Sequence, residues 1–448
     1  MTPSALLRAA LEGGDHAGLV AAYAEDAVVD AGLPGERVRV VGRDAIAGRL
    51  SGWYPGRGRM AEWAAGDHEG GAAVWLERVD EEGGACRQRH YLRVRDGRIV
   101  RHWIYAAPPR TAGPGLDQDA LTPPGRLLSR VGTVAETRPI ASSGWSGDAL
   151  VAVRMADGRR LIAKRIVPGA GWIGAHTRDP GREALLARDG WLARLPPSLD
   201  PAIIDAERAD GAWWVLMTDV SDALWPEGRR IPRGESARVL AAAAGMWAAF
   251  RGAEIPCLVT LARRLDVLGP RVAERERAGL DLLPNQLDAA WEAFAEAVPR
   301  DVADPVLAAL EAPEALAAWL EGRGTTLIHG DLRDEHLGVA ADGRVVLIDW
   351  GIATRGHPVA DLCWYLCHCA WRIDATRDEI VDDYRRALGD DDDPEALEAG
   401  LLCGLVMYGW IFGHSAVVHP DPAERAWARE ELDWWVPRAR RALAVLPG

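Results

Sequence analysis

Apolar residues recur at helical spacing over 4–11 and 16–24, and again over 45–53. Beyond residue 60 the pattern changes to the alternation of strands, over 60–65, 72–79, 86–95 and 98–106. Asp96-Gly97 is a two-residue hairpin signal, and 80–84 is a slightly longer one. Short helices followed by an antiparallel meander predict an α+β unit. Further on, strands dominate 132–220 and helices dominate 236 to the C-terminus. Two short strands, 337–340 and 344–348, are predicted to pair across Asp342-Gly343.

Between these halves, residues 107–126 carry Pro108, Pro109, Pro114, Pro123 and Pro124 with Gly113, Gly115 and Gly125. Proline fixes φ and removes a donor, so this stretch can be neither helix nor central strand. The pattern predicts a first domain over 1–109, a linker over 110–126 and a second domain over 127–448. The second divides into a strand-rich part near 127–220 and a helix-rich part near 221–448.

Composition adds limits. The 448 residues are 48% hydrophobic and 26% charged, with a net charge of −14. That is ordinary for a globular protein. The charge disfavours nucleic acid and anionic membrane as partners and suits a cationic small molecule. Six cysteines form no even disulfide framework, which fits a cytoplasmic chain. Cys363, Cys367 and Cys369, flanking His368, fall in an apolar helical run and read as packing residues rather than ligands. Arg8 and Glu12 interrupt the one early apolar run, so no signal peptide is expected. Residues 399–418 lack Asp, Glu, Lys and Arg, long enough to span a bilayer. Four glycines and His414 within that run favour a buried core helix.

The strongest chemical signal is His329-Gly330-Asp331-Leu332-Arg333-Asp334-Glu335-His336, followed by Leu347-Ile348-Asp349-Trp350-Gly351. Phosphoryl transfer needs a carboxylate beside the attacking hydroxyl and hard ligands for a divalent metal at the phosphates. A loop can present Asp331 to the hydroxyl and turn His336 to the metal. The 342–343 hairpin then returns Asp349 to the same place.

From about residue 125 onward, these motifs resemble the aminoglycoside phosphotransferase family, which has a bilobal protein-kinase-like fold with a helical C-lobe. The resemblance implies Asp331 as catalytic base, Asp349 as principal metal ligand and His329 as a brace of the loop. His336 stands where the family usually has Asn, and imidazole raises the question of Mn²⁺ beside Mg²⁺. Lys164, the one lysine among 52 basic Lys and Arg residues, lies in the apolar strand Leu161-Ile162-Ala163-Lys164-Arg165-Ile166. It matches the lysine that contacts the non-transferred phosphates. Glu183 would pair with it. Ser143, Gly144, Ser146 and Gly147 would cover phosphates with backbone N–H groups. Met217, Asp219 and Val220 would hold the base of ATP or GTP at the hinge between lobes. Asp361, in Pro358-Val359-Ala360-Asp361-Leu362, reads as structural at a helix start.

The first 105 residues or so resemble the SnoaL-like branch of the nuclear transport factor 2-like superfamily. The signal is the turn at Glu25 and Asp26, the run Gly42-Arg43-Asp44-Ala45-Ile46 and the closing strand 90–106. This implies a cone around an apolar pocket. Chemistry there would need a carboxylate or imidazole inside it, from Asp26, Asp67, His68, His90 or His102. Asp67 and His68 are expected in a turn. A non-catalytic accessory domain, or a homodimer through it, is the plainer expectation.

The reading is a phosphotransferase that moves the γ-phosphate of ATP or GTP to a hydroxyl of a small molecule, such as an aminoglycoside-like or other cationic compound. A catalytically silent kinase fold with a ligand-sensing N-terminal domain is the alternative, and His336 is what favours it. Chemistry in the cone, as an isomerase or cyclase, is a third.

Overall fold

The computed structural model describes residues 1–14, 16–109, 121–140, 148–279 and 281–446. It is a mixed α+β structure of two compact units. The first comprises Met1–Thr111, Leu268–Ala308 and Tyr408–Pro437; the second comprises Ala112–Val267, Ala309–Met407 and Arg438–Gly448.

In the first unit the helices Pro3–Gly13, Ala17–Ala22 and Arg43–Trp53 accompany six strands. These are β1 (Tyr23–Leu33), β2 (Glu36–Val41), β3 (Gly58–His68), β4 (Gly71–Asp80), β5 (Ala85–Arg95) and β6 (Arg98–Ala107). They form one sheet in the order β2-β1-β6-β5-β4-β3. Only β1 and β6 pair in parallel; the other neighbours are antiparallel. Residues two apart along a strand share a face. Thus Ala72, Val74, Leu76, Leu92 and Ile104 join Leu7, Leu11, Leu19, Ile46 and Leu50 in one core.

The opposite face carries Ala73, Tyr91, Trp103 and Tyr105, which pack with Ala289, Ala293 and Val418. The helix Leu282–Ala297 supplies the two alanines. Asn285 fixes its start by donating to the Ala106 carbonyl at 2.6 Å. The helix Leu402–Val417 packs on that helix by absence of side chains: a Cβ on Gly413 would lie 2.4 Å from the Phe294 backbone. The chain's own helices therefore cover this face. The apolar run 399–418 is largely interior, since 83% of the most apolar window of Pro394–Val417 is buried.

In the second unit, five antiparallel strands form a sheet: Ile203–Ala209, Ala212–Thr218, Arg160–Ile166, Ala149–Met155 and Val134–Ile140, in that spatial order. Arg160–Ile166 is central, with Lys164 opposite Val215 and Leu150. Leu161 and Ala163 face one apolar cluster. Ile166 faces the other, with Ala184 of the helix Arg182–Arg188. Beyond these lie helices and two three-stranded sheets. In one, Leu337–Val339 pairs antiparallel with Val345–Leu347, as the Asp342-Gly343 turn predicts. In the other, Thr326–Ile328 pairs with Thr354–Gly356.

Candidate active site

Lys164 lies on the sheet face that the helix Arg182–Arg188 covers, and that geometry makes its partner. Its Nζ donates to Glu183 Oε2 at 2.8 Å and to Asp349 Oδ1 at 3.0 Å, with Asp148 Oδ2 at 3.3 Å. Burial alone would disfavour the ammonium, but the three carboxylates outweigh it and hold the Lys164 pKa well above its ordinary value. Burial raises the Glu183 carboxyl against the pull of Lys164. Asp349 is held well below the usual carboxylate range; burial opposes this, and Lys164 and His336 prevail. Buried Arg182 secures this corner by donating to the backbone carbonyls of Cys257, Thr177 and Gly351.

The hairpin does what its turn residues predict. Leu337 stands opposite Leu347, and the Ile348 N–H donates to the His336 carbonyl at 3.1 Å. This brings Asp349 beside His336. Asp349 has φ +64°, a left-handed conformation uncommon outside glycine. Its side chain keeps 38% exposure while Lys164 is buried, so the carboxylate engages Lys164 and still reaches solvent.

His336 stands between two carboxylates. Its Nδ1 is 3.4 Å from Asp331 Oδ2, and its Nε2 is 3.7 Å from Asp349 Oδ2. Nδ1 also lies 3.1 Å from the Asp331 carbonyl oxygen. A carbonyl only accepts, so Nδ1 carries a hydrogen, and Nε2 faces Asp349.

The loop carrying Asp331 is held from beneath. Asp361, at the start of the helix Val359–Cys369, accepts from the His329 and Gly330 N–H groups at 2.7 and 2.8 Å. Burial raises the Asp361 carboxyl to about 6 even against those donors. Gly330 has φ +78°, and a Cβ there would meet the Ile352 carbonyl oxygen at 2.3 Å, so only glycine fits. His329 is buried, its Nδ1 accepts from the Asp331 N–H at 3.3 Å, and burial lowers its pKa to about 4. Asp331 is kept below the usual carboxylate range: burial opposes ionisation, while His336, Arg333 and Arg264 favour it.

Three residues of this site carried no readable sequence signal. Asp148 joins Lys164 only because the Ala149–Met155 strand pairs beside it. Arg264 donates from Nε to the Gly330 carbonyl at 2.5 Å, and Trp364 donates from Nε1 to Asp331 Oδ1 at 2.7 Å. A helix periodicity places Trp364 one turn after Asp361 but does not say what its indole meets.

At the expected hinge, Met217 lies in the strand Ala212–Thr218 opposite Ile162. The Asp219 N–H donates to the Arg160 carbonyl at 3.1 Å, and its carboxylate accepts from Ser221. Both polar groups are thus engaged within the protein; the Val220 carbonyl accepts from Ala223 and Leu224. Ser143, Gly144, Ser146 and Gly147 lie outside the described residues. Among the described residues, no group of three or more His, Cys, Asp or Glu side chains is arranged to hold a metal by itself.

The N-terminal candidates do not form one site. Asp26 is exposed on β1, because the strand alternation turns it away from buried Ala27. His68 and Asp67 end β3 rather than occupying a turn. His68 lies 3.4 Å from Asp421, and Asp67 accepts from the Ser4 hydroxyl at 2.5 Å. His90 and His102 do point inward and meet, Nδ1 to Nε2, at 2.9 Å. They belong to a buried chain in which Tyr23 hydroxyl contacts His102 Nδ1 at 2.5 Å and His90 Nε2 contacts Gln88 Oε1 at 2.8 Å. Tyr54 also donates to Gln88 Oε1, at 2.9 Å.

Comparison with known proteins assigns a family to most of the chain. The family model of the phosphotransferase enzyme family matches residues 137–399. Among solved structures, an aminoglycoside phosphotransferase from Alicyclobacillus acidocaldarius is 17% identical, with 73% of this chain and 96% of that one covered and a TM-score of 0.41. An aminoglycoside phosphotransferase from Streptomyces rimosus is 18% identical, covering 63% and 96%, with a TM-score of 0.39. A choline kinase from Streptococcus pneumoniae is 12% identical, covering 71% and 95%, with a TM-score of 0.39. No curated protein matches. The matched region contains the whole Lys164–Asp331–Asp349 constellation and spans more than half of the chain, which therefore belongs to the phosphotransferase enzyme family.

Proposed function

We propose that this protein transfers the γ-phosphate of ATP or GTP to a hydroxyl of a small molecule. The observation that carries the reading is His336 between Asp331 and Asp349, with Asp349 also bound to Lys164.

The donor set fits a divalent metal. The Nδ1–H contact to the Asp331 carbonyl leaves Nε2 free to ligate beside a carboxylate that stays ionised. An imidazole–carboxylate pair accepts Mn²⁺ as well as Mg²⁺. His336 and Asp349 would hold the ion, which would neutralise charge on the phosphates when bound. Lys164, oriented by Glu183, would hold the non-transferred phosphates. Val220 and Met217 would border the base. Asp331 would orient the acceptor hydroxyl and take its proton as the new O–P bond forms and the bond to the nucleoside diphosphate breaks. Alignment and fixed charge supply most of the acceleration in such a site. The net charge of −14 makes aminoglycoside-like and other cationic compounds the first acceptors to try.

We read the first unit as a nuclear transport factor 2-like cone with a packed interior, serving as an accessory domain rather than a second active centre. The sealed Tyr23–His102–His90–Gln88–Tyr54 chain supports this.

The test is the thermal midpoint of the purified protein with ATP or GTP, with and without Mg²⁺ or Mn²⁺. A ligand that binds only the native state raises the midpoint by mass action. The expected outcome is a metal-dependent rise that Asp349→Asn lacks, followed by a positive acceptor screen. No rise with either nucleotide would sink the reading in favour of the silent kinase fold. Normal turnover in Asp349→Asn would overturn the site assignment.

A further inference from the structure

We propose that Trp364 is a positioning residue that fixes the rotation of the Asp331 carboxylate, with Arg264 clamping the indole in place. This rests on the reading of Asp331 as the group that receives the acceptor's proton.

The helix Val359–Cys369 addresses the Asp331 loop at two levels. Asp361 in its first turn takes the backbone N–H groups of His329 and Gly330. Trp364, three residues on, takes the next residue's side chain, with Nε1 donating to Asp331 Oδ1 at 2.7 Å. The carboxylate torsion of Asp is broad and roughly two-fold, so backbone anchoring alone leaves it free to turn. The indole N–H removes that freedom. It commits Oδ1 and leaves Oδ2, with His336 Nδ1 at 3.4 Å and Arg333 Nε at 3.9 Å, as the oxygen available to a hydroxyl.

An indole suits this task. It donates and never accepts, so it cannot take the proton that Asp331 receives. Its ring is held by the Arg264 guanidinium, 4.1 Å from the ring centre, and by the His368 ring at 4.5 Å. The same guanidinium donates from Nε to the Gly330 carbonyl, so one buried side chain touches both the loop and the indole. Its Nη1 and Nη2 are buried and have no hydrogen-bond partner among the described residues. The indole contact, the Gly330 bond and the nearby Asp331 and Asp361 carboxylates work against the cost of burying its charge.

The variant Trp364→Phe keeps an aromatic ring in the slot and removes the donor, with a smaller side chain. Turnover is read as ADP or GDP release by the full chain with Mg²⁺, with water and then any hydroxyl compound found by screening as acceptor. We expect kcat to fall roughly ten- to hundredfold, as for loss of a hydrogen bond to a charged group, with KM for nucleotide unchanged. In an Asp331→Asn background the same change should cost less than about twofold, because the two groups act as one. An equal loss in both backgrounds, or a raised KM with kcat intact, would overturn the proposal.

A second readout needs no turnover. The Trp364 indole N–H resonance, assigned by its disappearance in Trp364→Phe, should move upfield in Asp331→Ala. An unmoved resonance would also overturn the proposal. Absence of any nucleotide-dependent thermal shift or turnover in the unaltered protein would instead remove the phosphotransferase reading, and the resonance alone would then decide whether Trp364 holds Asp331.

Discussion

Tyr23, His102, His90, Gln88 and Tyr54 form one polar cluster in the first unit; Lys164, Glu183, Asp349, His336 and Asp331 form another in the second. The first is neutral and closed. Gln88 Oε1 accepts from Tyr54 and His90, so His90 Nε2 carries hydrogen. Burial pushes His90 down to about 3 and His102 well below its ordinary value, so both rings are neutral. His90 Nδ1 must then accept from His102, and His102 Nδ1 from the Tyr23 hydroxyl. Each of these bonds then has one direction, and the chain ends on the two tyrosine hydroxyls, both donating inward. The second cluster is charged, includes a partly exposed carboxylate, and leaves Nε2 of His336 aimed at another ligand-bearing group. A buried polar group satisfied entirely by its neighbours specifies a core. Charged groups gathered with capacity left over specify a site for something else.

The comparison can be broken most severely at Lys164. Lys164→Met should reduce turnover by at least about a thousandfold, by loss of charge stabilisation at the phosphates. It leaves three carboxylates facing one another, so the metal-dependent thermal shift should weaken as well. Turnover within tenfold of normal would place the phosphates elsewhere.

Next in size is His102→Leu. It strands the Tyr23 hydroxyl and His90 Nδ1 in an apolar core, which should cost about 2–4 kcal/mol of unfolding free energy. Denaturant melts would measure this. The midpoint rise on adding nucleotide and metal should be unchanged, and a loss of that rise would mean that the first cluster serves the second.

The acid limb of stability gives a third, smaller effect. The unfolded chain binds protons at its histidines near pH 6.5, while folded His90 resists protonation to about 3. Unfolding therefore takes up protons in that window. Its contribution is complete above about pH 6.5 and is lost as pH falls towards 3, at up to about 1.4 kcal/mol per pH unit for each such ring. His90→Gln should flatten the slope by about one proton in the pH dependence of stability. The smallest expected effect is that of Asp26→Asn, an exposed position, at within about 0.5 kcal/mol and without change in turnover.

How much of this was legible depended on whether a residue's signal stood out locally. Lys164 was visible because one lysine stands against a field of arginines, and Asp331, His336 and Asp349 because a motif and a hairpin turn lie close in the chain. The four-stranded meander β3 to β6 followed from alternation and turn residues, whereas β1 and β2 were hidden behind a helix-like run and a turn-like acidic pair. Arg182 and Arg264 were invisible for the reason that made Lys164 conspicuous: neither differs in sequence from dozens of surface arginines. Asp148 and Trp364 act across 16 and 33 residues of chain, and no periodicity encodes such a meeting. Asp26 and His68 misled because a turn-like acidic or imidazole residue reads the same whether its strand faces inward or outward.

The helix Leu282–Ala297 and the segment Tyr408–Pro437 belong spatially with the N-terminal sheet, although the Pro/Gly-rich stretch separates them from it in the chain. A gene cut at that stretch would not release two independent modules. The shorter product would bare Tyr91, Trp103 and Tyr105, and the longer one would bare the helix surfaces that cover them. Each such aromatic contributes roughly 1.5–3 kcal/mol when buried, and an exposed patch of that kind invites aggregation. The two halves have become mutually obligate lodgers, so their lineage can exchange or discard the N-terminal half only by redesigning helices encoded far downstream.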